Sequence, residues 1–105
     1  MAKTKSISAK PFEASDYLDN DEVITEYLAA ALEDDDPDAF LVAVRDVAKA
    51  RGMGDVAAKS GLGRESLYKA LRPGALPRFV TVRSVLAALG VRVELVPLNG
   101  KKRFS

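Results

Sequence analysis

The chain has 105 residues, enough for one domain with a modest core, and its 48% hydrophobic content excludes a wholly disordered protein. It holds no Cys and no His, which excludes disulfide scaffolds and Cys-based zinc modules and removes the commonest general base and metal ligand. The net charge is only +1, but residues 13–38 hold eleven acids and no base, whereas residues 39–105 hold thirteen bases and four acids.

This separation of charge is typical of a protein with a nucleic-acid-binding face, although an ordinary solvated surface also produces it. Residues 1–11 are polar and basic, and we expect them to form a flexible arm. No apolar run has the length of a signal segment or of a bilayer span. We therefore expect a soluble, cytoplasmic protein whose main domain covers residues 12–97.

Two amphipathic helices are predicted first. Apolar residues recur at three-and-four spacing from Val23 to Leu32, which predicts a helix over residues 21–33 capped by Asn20 or Asp21. An Asp-Pro pair at 36–37 is typical of a helix start, and Gly52 of a helix end. The second helix is therefore predicted over residues 37–51.

The segment 52–74, GMGDVAAKSGLGRESLYKALRPG, carries the residue types of a helix-turn-helix at the required separations. Ala57 is small where the second helix must cross the first, and Gly61 permits a left-handed turn four residues later. Leu62 then fills the space between the helices, and each helix needs further apolar residues facing inward. The predicted core of this motif is Val56, Ala57, Gly61, Leu62, Leu67 and Leu71.

The outward face of the motif predicts contacts with DNA. The first residues of the second helix meet base edges in such motifs, where Arg64 can pair with guanine and Glu65 can accept from cytosine N4. Other polar side chains, such as Tyr68, are typical phosphate contacts, which position the protein without reading sequence. Solvated residues of a plain surface helix are the alternative. The predicted DNA-binding residues are Lys59, Arg64, Glu65, Ser66, Tyr68, Lys69 and Arg72.

The last third predicts a loop at Pro73-Gly74, then a helix in which apolar residues recur from Phe79 to Leu89 and which Gly90 ends. Apolar and charged residues alternate after Gly90, which predicts a short β-strand over residues 91–96. Residues 98–105 are rich in bases, and we expect them to form a tail. The fold class predicted is thus all-α, with about five helices and a short C-terminal β-strand.

Several short stretches also carry a family resemblance, namely YLD at 17–19, EVITEYL at 22–28, AALED at 30–34, RGMG at 51–54, GL at 61–62, ESLYKAL at 65–71, FVTV at 79–82 and LAALG at 86–90. On these residues the chain resembles the addiction-module antidote proteins, the antitoxins encoded beside a RelE/ParE-like (HigB-like) toxin. The resemblance implies a lambda-repressor-like helical domain that forms a homodimer, binds its own double-stranded operator DNA and represses transcription. It also implies that the chain neutralises such a toxin.

A division of labour between the two charged parts is a further hypothesis. The acidic part would repel DNA, whereas RelE-type toxins handle RNA and are basic, so an acidic helix suits a toxin contact. Surface acids that only keep the chain in solution are the alternative. The candidate toxin-contact residues are Asp21, Glu22, Glu26 and Glu33. The strand at 91–96 is predicted to pair with its twin in the dimer, or within the chain.

Other classes of function fit less well. We predict no enzyme, because His and Cys are absent, and no cofactor. We also predict no metal site, because the Asp34–Asp36 run lacks the spaced oxygens, the Gly and the closing Glu of a calcium loop. Two alternatives remain: a stand-alone phage-type or cellular repressor with no toxin, and a toxin-binding module that does not bind DNA.

Overall fold

The computed structural model describes residues 20–98, which contain five α-helices and, within that range, no β-strand. The helices are α1 (Asp21–Leu32), α2 (Asp38–Arg51), α3 (Met53–Ser60), α4 (Arg64–Ala70) and α5 (Phe79–Ala88). The all-α class with about five helices is therefore confirmed for this part of the chain. The predicted arm at 1–11 and residues 99–105 of the predicted tail lie outside the described residues, so the domain bounds stay a prediction.

The structure does not contain the β-strand predicted over residues 91–96. Residues 91–97 form neither a helix nor a strand. A strand persists only when its backbone groups pair with a neighbouring strand, and residues 20–98 contain no such neighbour. The alternation also fails to bury one face, since Val93 is 41% exposed and Leu95 is 94% exposed. The prediction of a short C-terminal β-strand is therefore wrong for the described chain.

Helix α1 begins at an Asn cap and packs against α2 along one apolar edge. The Asn20 side chain accepts hydrogen bonds from the backbone N–H groups of Glu22 (2.8 Å) and Val23 (3.1 Å). These bonds satisfy two of the donors that every helix start leaves open. Ile24 and Leu28 are buried in the common core, so the acidic side of α1 is left in solvent.

Two polar contacts also join α1 to α2. Nη2 of Arg51 donates a 2.9 Å hydrogen bond to Oδ1 of Asp21, in an exposed ion pair of the kind that contributes little to stability. The hydroxyl group of Tyr27 donates a 2.8 Å hydrogen bond to Oδ2 of Asp46 at a half-buried position. Burial, together with the hydrogen bond to Asp46 and its negative charge, raises the pKa of Tyr27 to about 12.

One apolar core holds the helices together, and α3 lies at its centre in contact with α2, α4 and α5. No polar or charged residue among residues 20–98 is buried. The apolar face of α5 begins later than predicted, because Phe79 is 62% exposed. The buried core residues are Ile24, Leu28, Leu41, Ala43, Val44, Val47, Ala48, Met53, Val56, Ala57, Leu67, Leu71, Val85, Leu86 and Leu89.

Candidate nucleic-acid interface

A tight turn that depends on Gly61 joins α3 to α4. Gly61 has φ 79° and ψ 11°, a left-handed backbone conformation that residues other than glycine adopt only at a cost in free energy. The N–H group of Leu62 donates to the carbonyl oxygen of Ala57 (3.1 Å), and that of Gly61 donates to Ala58 (3.4 Å). This pairing is the Schellman motif, and it closes α3 so that α4 begins only three residues after Gly61.

The residues predicted to form the core of the two-helix unit lie on its inner side. Leu67, the buried residue of α4, has no exposed surface, and Leu71 is 1% exposed just after that helix. Val56 and Ala57 of α3 are buried as well, and Leu62 is half-buried against the core. Because its inner face is fixed in this way, α4 has one defined orientation and directs its other side to solvent.

All seven residues that the sequence predicts to bind DNA are exposed. Six of them lie on or directly after α4, with Glu65 in its first turn and Lys69 in its last. None of the seven takes part in either ion pair found among residues 20–98. Their side chains are therefore available to a partner, and their contact with DNA stays a prediction.

The structure adds Arg45 of α2 to this surface. Arg45 lines a surface pocket of about 160 Å³ together with Tyr68, Lys69 and Arg72. Sequence analysis missed Arg45 because it stands on a helix that precedes the motif, more than twenty residues from Tyr68. Its place on the polar side of α2 is visible in the sequence, but which neighbouring helix it faces depends on the packing.

A side chain-to-backbone bond holds the segment after α4 against the start of α2. The backbone N–H group of Gly74 donates a 2.9 Å hydrogen bond to Oδ1 of Asp38. The loop also closes on itself, because the N–H group of Ala75 donates to the carbonyl oxygen of Arg72 (2.9 Å). The end of α4 is thus tied to the helix that carries Arg45.

The acidic surface lies on α1 and on the segment that follows it. Residues 20–38 hold eight acids and no base, and all four candidate toxin-contact residues are exposed. Asp21 pairs with Arg51, whereas Glu22, Glu26 and Glu33 take part in no ion pair within the described chain. No group of three or more acidic side chains in residues 20–98 is placed to hold a metal ion.

The sequence of this chain is similar to those of known proteins. Residues 8–97 match the family described as "probable addiction module antidote protein". An uncharacterized protein of Haemophilus influenzae is 37% identical over 86 residues, which cover 82% of this chain and 89% of that protein. No solved structure gives a significant match, and none of the described helices has the length and apolar character needed to cross a membrane. The chain belongs to the family of probable addiction module antidote proteins.

Proposed function

We propose that this chain is the antitoxin of a type II toxin-antitoxin module and that it represses transcription by binding operator DNA. Membership of the family implies a toxin partner in general, and a RelE/ParE-like (HigB-like) toxin is the partner proposed here. In this proposal α3 and α4 act as a lambda-repressor-like helix-turn-helix, α4 enters the major groove, and the chain works in the cytoplasm as a homodimer without catalysis.

The orientation of α4 is the observation that carries this proposal. Leu67 fixes one face of the helix in the core, and the opposite face holds polar and charged side chains. Arg64, Glu65 and Ser66 occupy the first turn, the position from which helices of this type reach base edges. A short helix with this arrangement, held by a left-handed turn after α3, suits insertion into a groove.

The charge distribution supports the same assignment. Residues 39–98 hold ten bases and four acids, so the part of the chain that contains α4 attracts a polyanion. In the same proposal, the acidic face of α1 contacts a basic toxin. A homodimer fits DNA recognition because two copies can bind two half-sites about one helical turn apart. Exposed apolar side chains such as Leu76 (96% exposed) and Val80 (66% exposed) are available for such an association.

A binding titration tests the DNA assignment. The full chain is titrated into a fluorescent duplex of its own upstream DNA and into a random duplex of equal length, at two salt concentrations. Arg64→Ala removes a side chain assigned to a base, and Lys69→Ala removes one assigned to a phosphate. Arg92→Ala is the matched control, because Arg92 is an exposed arginine outside α3 and α4.

The proposal predicts tight binding that falls steeply with salt. Arg64→Ala should weaken binding about tenfold or more and reduce the preference for the upstream duplex, since a good base contact discriminates by about 1–3 kcal/mol. Lys69→Ala should weaken binding to both duplexes alike, and Arg92→Ala should bind as the original chain does. Equal affinity for the upstream and random duplexes would contradict operator binding.

A further inference from the structure

Two helices contribute cationic side chains to one concave site. The pocket of about 160 Å³ described above is lined by Arg45 of α2, by Lys69 of α4 and by Arg72. Arg72 stands two residues after the end of α4. Tyr68 completes the lining and brings a phenolic hydroxyl group. Among residues 20–98, no acidic residue lines this pocket.

The positive charge of the pocket is not neutralised within the described chain. The two ion pairs among residues 20–98 join Arg51 to Asp21 and Arg92 to Glu94, so Arg45, Lys69 and Arg72 take part in neither. Like charges held close together repel one another, and an anion in the pocket would remove that repulsion. Guanidinium, ammonium and hydroxyl groups are all donors, and a guanidinium fork matches the geometry of a phosphate.

The location of the pocket relative to the first turn of α4 indicates which phosphate it suits. Lys69 follows Arg64 by five residues, which corresponds to about 7.5 Å along a helix axis. The major groove is about 12 Å wide, so a helix whose first turn meets base edges brings its last turn near the backbone at the groove wall. A phosphodiester group of the DNA backbone is therefore the anion that this site would meet.

We infer that Arg45, Lys69, Arg72 and the hydroxyl group of Tyr68 clamp one phosphodiester of the DNA backbone, with Arg45 as the contribution of α2. The inference rests on the proposed function and extends it to a helix outside the two-helix unit. Val44 and Val47, on either side of Arg45 in α2, are fully buried, so this arginine stands on a fixed support. Contacts from two helices to one phosphate fix the angle at which α4 enters the groove.

The salt dependence of DNA binding tests this clamp with the full chain. The affinity for the upstream and random duplexes is measured over a series of salt concentrations for Arg45→Gln and Arg45→Met. Both variants remove the charge, and Met preserves an unbranched apolar stem where Arg45 is half-buried. Arg83→Gln is the matched control, because Arg83 is an exposed arginine of α5 that does not line this pocket. Thermal melting establishes that each variant is folded.

Loss of one phosphate contact makes the negative slope of log association constant against log salt concentration shallower by about 0.9. Both Arg45 variants should show this change and bind both duplexes about tenfold more weakly, with their preference between the duplexes unchanged. Arg83→Gln should keep the original slope. If the original chain binds its upstream duplex and a folded Arg45 variant keeps the full slope, the clamp is overturned and the proposed function stands. If the original chain binds neither duplex, both are overturned.

Discussion

The hydroxyl group of Tyr27 on α1 donates a 2.8 Å hydrogen bond to Oδ2 of Asp46 on α2. This contact joins the helix that carries the acidic surface to the helix that precedes the two-helix unit. Burial is the largest cause that raises the pKa of Tyr27 to about 12, and the hydrogen bond to Asp46 and its charge act in the same direction. The folded protein therefore holds this tyrosine in its protonated form at a pH where an exposed tyrosine has ionised.

Removing this hydroxyl group should make the stability of the chain less sensitive to alkaline pH. The folded-state pKa lies above the ordinary value of 10.0, so the stabilisation from protonated Tyr27 is complete below pH 10 and is lost as the pH rises toward 12. Tyr27→Phe should lower the free energy of unfolding by about 1 kcal/mol at pH 8, and this deficit should shrink by pH 11.

Urea denaturation of both proteins at pH 8 and pH 11 measures that difference. Tyr68→Phe is the matched control, because Tyr68 is exposed and its hydroxyl group forms no hydrogen bond to another residue within residues 20–98. A deficit of Tyr27→Phe that stays constant between the two pH values would show that the half-buried hydrogen bond to Asp46 does not govern the titration of Tyr27.

Two glycines of the same unit should respond in opposite directions to alanine. Gly61→Ala should cost about 1–2 kcal/mol, because an alanine must adopt the left-handed conformation there although a Cβ atom would meet nothing within 4 Å. Gly54→Ala should stabilise the chain by up to about 1 kcal/mol, because Gly54 lies within α3 and its surroundings are equally open. Chemical denaturation compares the two variants, and a neutral Gly61→Ala would mean that the turn does not need this conformation.

Two neighbouring residues of α4 should differ sharply in their contribution to the stability of the fold. Leu67→Ala should cost about 2–5 kcal/mol, because Leu67 has no exposed surface and its loss leaves a cavity. Ser66→Ala should change stability by less than about 0.5 kcal/mol, because Ser66 is exposed. Thermal melting gives both values, and similar losses at the two positions would contradict the orientation of α4.

The acidic face of α1 should govern the rate at which the toxin binds. Glu22→Gln with Glu26→Gln removes two exposed charges from that face, so association with the purified toxin that is proposed as the partner should slow several-fold at low salt. Asp55→Asn with Glu94→Gln removes the same charge elsewhere and serves as the control. Stopped-flow mixing measures both association rates. Equal slowing by the two pairs of substitutions would show that only the net charge matters, and it would contradict a specific role for the face of α1.

Apolar periodicity in the sequence predicted the helices well, because each helix buries one face in a shared core. The first helix was predicted over residues 21–33 and spans Asp21–Leu32, and the second was predicted over 37–51 and spans Asp38–Arg51. The left-handed turn was also predictable, since Gly61 stands at a fixed distance from the small Ala57.

Features that depend on packing between distant residues were not predictable. The pocket around Arg45 and the bond between Tyr27 and Asp46 exist only once α2 has met α4 and α1. The predicted strand at 91–96 failed for a related reason, because alternation of residue type does not provide the partner strand that pairing requires. Phe79 looked like part of an apolar face and is exposed.

The most direct test of the DNA assignment is a chemical-shift map of the full, ¹⁵N-labelled chain titrated with its upstream duplex. The account predicts the largest amide shifts at the start of α4, around Arg64 to Ser66, with further shifts near Lys59 and in α2 near Arg45. It predicts no substantial shift at the acidic residues of α1. Shifts concentrated on α1, or no saturable shift in α4, would contradict the assignment of α4 as the helix that reads DNA.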